Sequence, residues 1–449
     1  MFKRSKLNTR LYAPTHRWRN YQVKLHRQSA KEKAVRRLPI YFLALIVLIA
    51  LTKGAFWAYD RAFIQPPSSR AQPEEASVKP MDQTALQKLL ADQPLTNLTR
   101  ETFYLESGRG KYRMATSIKP SLQQVITDHI DRKYAKYFGF VALDPESGKI
   151  QAMVSFDKTG ENSNVCTRPD FPAASLIKIV TAGAAIEEYG FRRTTPVSFN
   201  GRKYTLYKSQ LKTNEHRYTN HITFEDSFAD SINPVFGKIG VHRLKKSGLE
   251  KYGRAFGFNR DIDFDLPLAQ SPLVVKDEVF NWAEIACGFN RQTLISPLHA
   301  AVMVAGVVNE GRLMAPTLIQ TVREKNQPVY KSQPQVLNQA VSADTANRLK
   351  KLMHATITEG TARKAFSARR RDKVLSRLDI GGKTGSINNN PLHIKYDWFA
   401  GFAEDADGGK KLAVAVFVAH KEYIGTRAAS YAKLAFQEYF KTPSTDSNA

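Results

Sequence analysis

Acidic residues and cysteines are both scarce in this chain. Against 67 Lys and Arg there are 41 Asp and Glu, a formal net charge of +26, and the 449 residues include two cysteines, Cys166 and Cys287. No C-x-x-C occurs, which excludes dithiol redox chemistry and the common zinc ribbons, and two buried free thiols are expected in place of a disulfide. His216, His221 and His242 share no ligand spacing and there is no H-E-x-x-H, so neither a metal nor a cofactor is expected. The G-x-S-x-G elbow is missing too. Gly382-Lys383-Thr384 ends like a phosphate-binding loop, but Arg377 stands where that loop needs its first glycine. No internal repeat is found, which sets aside solenoids and propellers.

What is present is unevenly placed. Residues 1–37 hold twelve Lys or Arg against the single acid Glu32, so +11 of the charge sits at the front. From Leu38 to Leu51 no residue is charged, and Gly54 to Tyr59 carries the apolar run past Lys53, whose amine can snorkel to an interface. The pattern predicts a basic cytoplasmic tail (1–37), one transmembrane anchor (38–59) and a domain held outside, since Lys and Arg concentrate on the cytoplasmic side. The n-region is long for a signal peptide and no A-x-A site follows, so the anchor reads as uncleaved. A basic chain invites a nucleic-acid reading, but this topology keeps its larger part away from cytoplasmic nucleic acid; anionic lipid or polymer fits better.

Residues 60–99 read as a linker with a short docking segment: four prolines lie between Ile64 and Gln83, and Leu86, Leu89 and Leu90 then follow at helical spacing toward Leu95. Residues 100–440 form the domain, and 441–449 a disordered tail. Pro120–Tyr137 is predicted helical, with Leu122, Val125, Ile126 and Ile130 on one face. Phe138–Leu143 and Lys149–Phe156 flank Asp144-Pro145-Glu146-Ser147-Gly148 as a β-hairpin. Tyr218–Leu249 reads mostly helical, Trp398–Ala403 and Leu412–His420 as strands, and Arg427–Phe440 as an amphipathic helix. Sheet elements at both ends of a helical middle imply one α/β (α+β) domain. Arg369-Arg370-Arg371 reads as a solvated face, and Tyr204, Tyr207 and Tyr218 as packing residues.

Chemistry centres on Phe171-Pro172-Ala173-Ala174-Ser175-Leu176-Ile177-Lys178. One helical turn apart, Ser175 and Lys178 become neighbours, and the amine can take the hydroxyl proton once burial or a nearby positive charge keeps it neutral. This arrangement suits an acylating serine. The S-x-x-K pattern recurs at Ser155–Lys158 and Ser209–Lys212, so it decides nothing alone. Downstream come Ser231-Ile232-Asn233 and, after Gly381-Gly382, Lys383-Thr384-Gly385-Ser386; both also have decoys, Ser198–Asn200 and Ser386–Asn388 for one, Lys158–Gly160 and Lys246–Gly248 for the other. Requiring the three in order, on a helix start, in a helical connection and on an edge strand, leaves Ser175, Ser231 and Lys383.

In these boxes the sequence resembles the transpeptidase domain of penicillin-binding proteins, across roughly residues 100–440. Val141-Ala142-Leu143-Asp144-Pro145, Glu359-Gly360-Thr361-Ala362 and Asp397-Trp398-Phe399-Ala400-Gly401-Phe402 carry it further, as does Ala286–Pro316, where Gly288-Phe289-Asn290 replaces the family's frequent G-Q-G. The resemblance implies a five-stranded antiparallel sheet flanked by helices, with an all-helical subdomain. It implies Ser175 as nucleophile, Lys178 as base, Ser231 as proton relay and Asn233 on the substrate amide. Lys383, Thr384 and Ser386 would hold the terminal carboxylate of a D-Ala-D-Ala stem peptide, Gly385 lies in the same box, and the backbone N–H groups of Ser175 and Ser386 would form the oxyanion hole. β-Lactams are the implied inhibitors. Carboxypeptidase or β-lactam hydrolysis on the same residues, or a sensor or structural role in a wall-synthesis complex, are the competing functions. The stretch before Arg100 has no room for a glycan-polymerising domain, so a separate membrane polymerase is the expected partner.

Overall fold

Five strands build the central sheet: β1 (Ala135–Leu143), β2 (Ile150–Asp157), β3 (Leu378–Asn389), β4 (Ile394–Asp405) and β5 (Lys411–Lys421). They pair antiparallel throughout in the order β3-β4-β5-β1-β2, which leaves β3 at an edge. The computed structural model describes residue 53 and residues 80–441 apart from 92, 94, 109 and 161–163. The basic tail, the apolar segment, most of the linker and the tail after Lys441 lie outside the described residues. Among the described residues no helix is long and apolar enough to cross a membrane. The chain divides between Ser77 and Val78 into two compact units, and the sheet lies in the second.

The sheet is covered on both faces, and β5 shows why its sequence is apolar without interruption. Leu412, Val414, Val416 and Val418 enter one core, with Phe138, Phe140 and the helix Ala428–Tyr439; Ala413, Ala415, Phe417 and Ala419 enter the other. Side chains alternate between faces, so two buried faces demand apolar residues at every position. The second core holds the remaining helices that matter here: α1 (Lys178–Tyr189), α2 (Phe224–Ala229), α3 (Asn233–Ile239), α4 (Val279–Cys287), α5 (Pro297–Val308) and α6 (Ala343–Thr358), with α7 (Ala428–Tyr439) on the opposite face. α5 is buried at every residue and is made of Pro, Leu, Ala, Val and Met with one Gly and one His, as a helix enclosed all round must be. Each Val or Leu so enclosed stabilises by roughly 1.5–3 kcal/mol over leaving it in water, far more than the propensity of Val disfavours a helix.

The β1–β2 turn is as the sequence implies. Asp144 accepts hydrogen bonds from Ser147 N at 2.8 Å and Glu146 N at 3.2 Å, and Gly148 takes φ +73°, where a Cβ would fall 2.1 Å from Ala315 O. Two expected elements are shorter. The helix predicted over Pro120–Tyr137 ends at Asp128, because the chain turns through residues 131–134 and β1 already begins at Ala135. Asp131, whose carboxylate accepts Thr426 N at 3.1 Å, ties that turn to the start of α7. The helix toward Leu95 stops at Leu90; Leu86 and Leu90 are wholly buried in the second core, so packing reaches upstream of Arg100. A four-stranded sheet of Thr102–Ser107, Gly110–Thr116, Ile319–Glu324 and Gln327–Lys331 was not foreseen. Its two hairpins lie far apart in sequence, and no local signal announces their pairing.

Both cysteines are buried free thiols, and burial pushes Cys166 up to about 12 and Cys287 up to about 11. Arg370 and Arg371 are exposed, as a solvated run should be. The tyrosines depart from expectation: Tyr204, Tyr207 and Tyr218 are 60%, 62% and 68% exposed. They sit in a polar connection whose buried anchor is Gln210, not an aromatic ring.

Candidate active site

Ser175 sits in a tight 3-10 turn, Ala174–Ile177, that runs directly into α1. Leu176, Ile177 and Ile179 pack inward, and a helix cannot bury those neighbours without carrying Lys178 in with them; Lys178 is wholly buried. Its Nζ lies 2.8 Å from Ser175 Oγ, 2.7 Å from Asn233 Oδ1, and 3.2 Å from both the carbonyl and the hydroxyl of Ser231. Lys383, on edge strand β3, approaches Ser231 from the other side, with Nζ 2.8 Å from Ser231 Oγ. Three segments far apart in sequence thus meet at one hydroxyl.

Two residues here hold backbone conformations that L-amino acids avoid. Ala174 has φ +47° and Ser231 φ +56°, each costing on the order of 1–3 kcal/mol. The surroundings enforce the first. Gly288, which ends α4 with φ +74°, lies against the Ala174–Ser175 peptide so closely that a Cβ would fall 1.9 Å from Ala174 O. The Gly288-Phe289-Asn290 variation therefore keeps the one residue that geometry requires. Gly288→Ala should destabilise the domain by about 2–4 kcal/mol through overpacking and φ strain. Thermal unfolding checks this; an unchanged Tm would mean that α4 can slide off the turn at no cost.

Burial lowers the pKa of Lys178 to about 8 and that of Lys383 well below the usual lysine value. Burial is the first cause for both amines, and the two positive charges, each within reach of Ser231 Oγ, further disfavour one another. Two ammonium groups around one hydroxyl make a coupled pair, and we hold that one of the two is neutral near physiological pH. A neutral Lys178 keeps two N–H donors for Asn233 Oδ1 and Ser231 O and turns its lone pair to the Ser175 hydroxyl.

The remaining box residues are equally engaged. Asn233 Nδ2 donates to Tyr204 O at 3.0 Å, and Thr384 Oγ1 meets Thr361 Oγ1 at 2.6 Å. Ser386 Oγ donates to Asp397 at 3.3 Å. A Cβ at Gly385 would touch Ala173 O and Ala174 Cβ at 3.4 Å, so β3 lies flat against the serine turn. All eight residues singled out from the sequence, Ser175, Lys178, Ser231, Asn233, Lys383, Thr384, Gly385 and Ser386, fall in this one cleft. Gly288, Thr361 and Asp397 were not singled out; the motifs around them were visible, their contacts were not. His216, His221 and His242 stay outside, and among the described residues no cluster of His, Cys, Asp and Glu could hold a metal.

A family model for the penicillin binding protein transpeptidase domain matches residues 138–440. The chain belongs to that family. Among curated relatives, stage V sporulation protein D of Bacillus subtilis is 26% identical over 332 residues, 68% of this chain and 49% of that protein. The peptidoglycan D,D-transpeptidase PbpA of Mycolicibacterium smegmatis is 25% identical, over 68% of this chain and 66% of its own. The chain thus spans about half the length of the first of these relatives. Penicillin-binding protein A of Mycobacterium tuberculosis shares the fold, with a TM-score of 0.60 at 21% identity over 73% of this chain and 82% of that one. So does the D,D-transpeptidase domain of an Eggerthella lenta peptidoglycan glycosyltransferase, also at 0.60, with 20% identity and the same coverage.

Proposed function

We propose that this penicillin-binding family member is a peptidoglycan D,D-transpeptidase that works through an ester on Ser175. The observation that carries the reading is the convergence of Lys178 on Ser175 Oγ at 2.8 Å while both buried lysines hold Ser231 Oγ. Lys178 takes the Ser175 proton, Ser175 Oγ attacks the carbonyl of the penultimate D-Ala, and the C–N bond to the terminal D-Ala breaks as Ser231 relays a proton to the leaving amine. An amine from a neighbouring stem peptide then resolves the ester. Asn233 orients the donor amide through the acceptor capacity its oxygen retains. Lys383, Thr384 and Ser386 receive the terminal carboxylate, and the N–H groups of Ser175 and Ser386 take the developing oxyanion. The name of the Mycolicibacterium relative supports the substrate class. Imipenem and penicillin G acyl-enzyme complexes of the Mycobacterium tuberculosis protein support β-lactams as inhibitors of this chain too.

Incubation of the full-length chain with a stem pentapeptide and an acceptor amine tests the reading. A cross-linked dimer with release of D-Ala is expected; D-Ala release without any cross-link would make the chain a carboxypeptidase. The rate of acylation by benzylpenicillin should rise as pH climbs through about 8, because Lys178 must be neutral to act. A flat profile across that range, measured by stopped mass spectrometry, would remove Lys178 as the base.

The uncharged run from Leu38 to Leu51 behind a basic tail supports a single-pass anchor with the catalytic domain outside the cytoplasmic membrane. A separate glycan polymerase is the proposed partner there, and in-cell crosslinking that recovers the chain without any such enzyme counts against it.

A further inference from the structure

We propose that Asp397 and Arg427 form a charge pair that sets how strongly the Ser386 end of the cleft prefers a ligand with a free carboxylate. The inference rests on the acyl-serine reading and adds two residues to it. Asp397 stands directly opposite Ser386 in the β3–β4 register. It is buried, yet its Oδ1 accepts the Ser386 hydroxyl at 3.3 Å and faces the Arg427 guanidinium at 3.6 Å. Its Oδ2 accepts Ala428 N at 3.0 Å, which anchors the first turn of α7 to the sheet, and buried His420 stands 3.5 Å away through Nε2. Ser386 is exposed, and the Arg427 side chain is 46% exposed, so a ligand in solvent can reach both.

A serine has one proton to give. While Ser386 spends it on Asp397, the hydroxyl shows an arriving carboxylate only lone pairs, and the buried charge behind it repels the ligand further. Arg427 has the opposite effect. Its five-donor fork occupies Asp397 with one end and suits a carboxylate in two-pronged fashion. A ligand carboxylate at Ser386 thus competes with Asp397 for two donors, the hydroxyl and the guanidinium. Removing the competitor should sharpen carboxylate preference, and removing the cation should blunt it. A residue that served only to hold α7 in place would move both kinds of ligand together.

The test compares two donors on the full-length chain: N-benzoyl-D-alanyl thioglycolate, with a free carboxylate on its leaving group, and its methyl ester. In each, the bond from Ser175 Oγ to the acyl carbon forms, the C–S bond breaks, and the thiol leaves with the serine's proton. The readout is the ratio of kcat/KM for acid over ester. Arg427→Gln should lower that ratio by about tenfold, the worth of one charge-assisted hydrogen bond, mostly through KM. Arg427→Lys should recover part of the loss. Asp397→Asn, which can keep Ala428 N with its oxygen and offer its amide N–H to Ser386, should raise the ratio by several-fold. An unchanged ratio in Arg427→Gln overturns the proposal, as does movement of both variants in the same direction. Should the parent protein form a Ser175 ester with benzylpenicillin while the ratios stay fixed, only this inference fails; no ester with either donor or with penicillin overturns the acyl-serine reading and the inference together.

Discussion

Ser175→Ala should abolish covalent capture of benzylpenicillin and lower turnover of a D-Ala-D-Ala donor by roughly 10^4-fold or more, the scale on which loss of a nucleophile acts. Intact-mass measurement of the full-length chain, with and without penicillin, reads this directly. The substitution removes one oxygen from a half-buried position whose backbone is held by Gly288 and by the buried Leu176 and Ile177, so the fold should survive it. Lys178 then loses its Ser175 partner but retains Asn233 Oδ1 and Ser231. An adduct that persists in Ser175→Ala would place the nucleophile elsewhere, and Ser231, the hydroxyl that both lysines reach, would be the next to mutate. A folded parent protein that forms no adduct and leaves penicillin intact would favour a structural role, whereas consumption of penicillin without an adduct would favour a hydrolase.

The boxes were legible in the sequence because each combines a reactive side chain with a local conformational signature. Ser175 and Lys178 lie one turn apart at the head of an apolar run, and Lys383 follows a glycine pair ahead of the strand-like run Trp398–Ala403. Period-two alternation was less helpful: β5 is apolar at every position from Leu412 to Ala419, and only its length and turn neighbours mark it as a strand. What could not be read is what depends on approach between distant segments. Nothing local says that Gly288 must be glycine, since the atom it would strike belongs to Ala174. Nor does the Asp397-Trp398 dipeptide disclose that its carboxylate reaches both Ser386 and the start of α7. The lysine pair shows the same limit in its electrostatics. The order of the boxes brings Lys383 toward Lys178, but that both amines are wholly buried, so that their charged forms are disfavoured before they repel each other, is supplied only by the coordinates.

Lys178→Met is the variant that separates a base from a mere structural cation. Methionine is close to the length of the lysine stem and suits the apolar wall of Phe236, whose ring centroid lies 5.6 Å from Nζ. The substitution removes a buried amine whose charged form burial penalises, which favours the variant, but it strands Asn233 Oδ1 and Ser231 O, which disfavours it by about 1–3 kcal/mol per group. The two effects oppose each other, so Tm should move little compared with Gly288→Ala. Acylation should not be spared. Loss of a general base is worth about 10^2–10^4-fold, and the residual rate should lose the rise through about pH 8 that belongs to Lys178. The stability profile has a matching sign. A lysine whose folded pKa lies below its unfolded value binds fewer protons in the native state, so the parent protein should gain stability as pH climbs from about 8 toward the ordinary lysine value of 10.5. The Met variant should gain less over that interval, with Lys383 alone left to contribute. Urea denaturation at several pH values measures it. Equal gains in parent and variant, together with an acylation rate within tenfold of the parent's, would mean that Lys178 is charged in the folded protein and that the proton of Ser175 leaves by another route, with Lys383 acting through Ser231 as the nearest candidate.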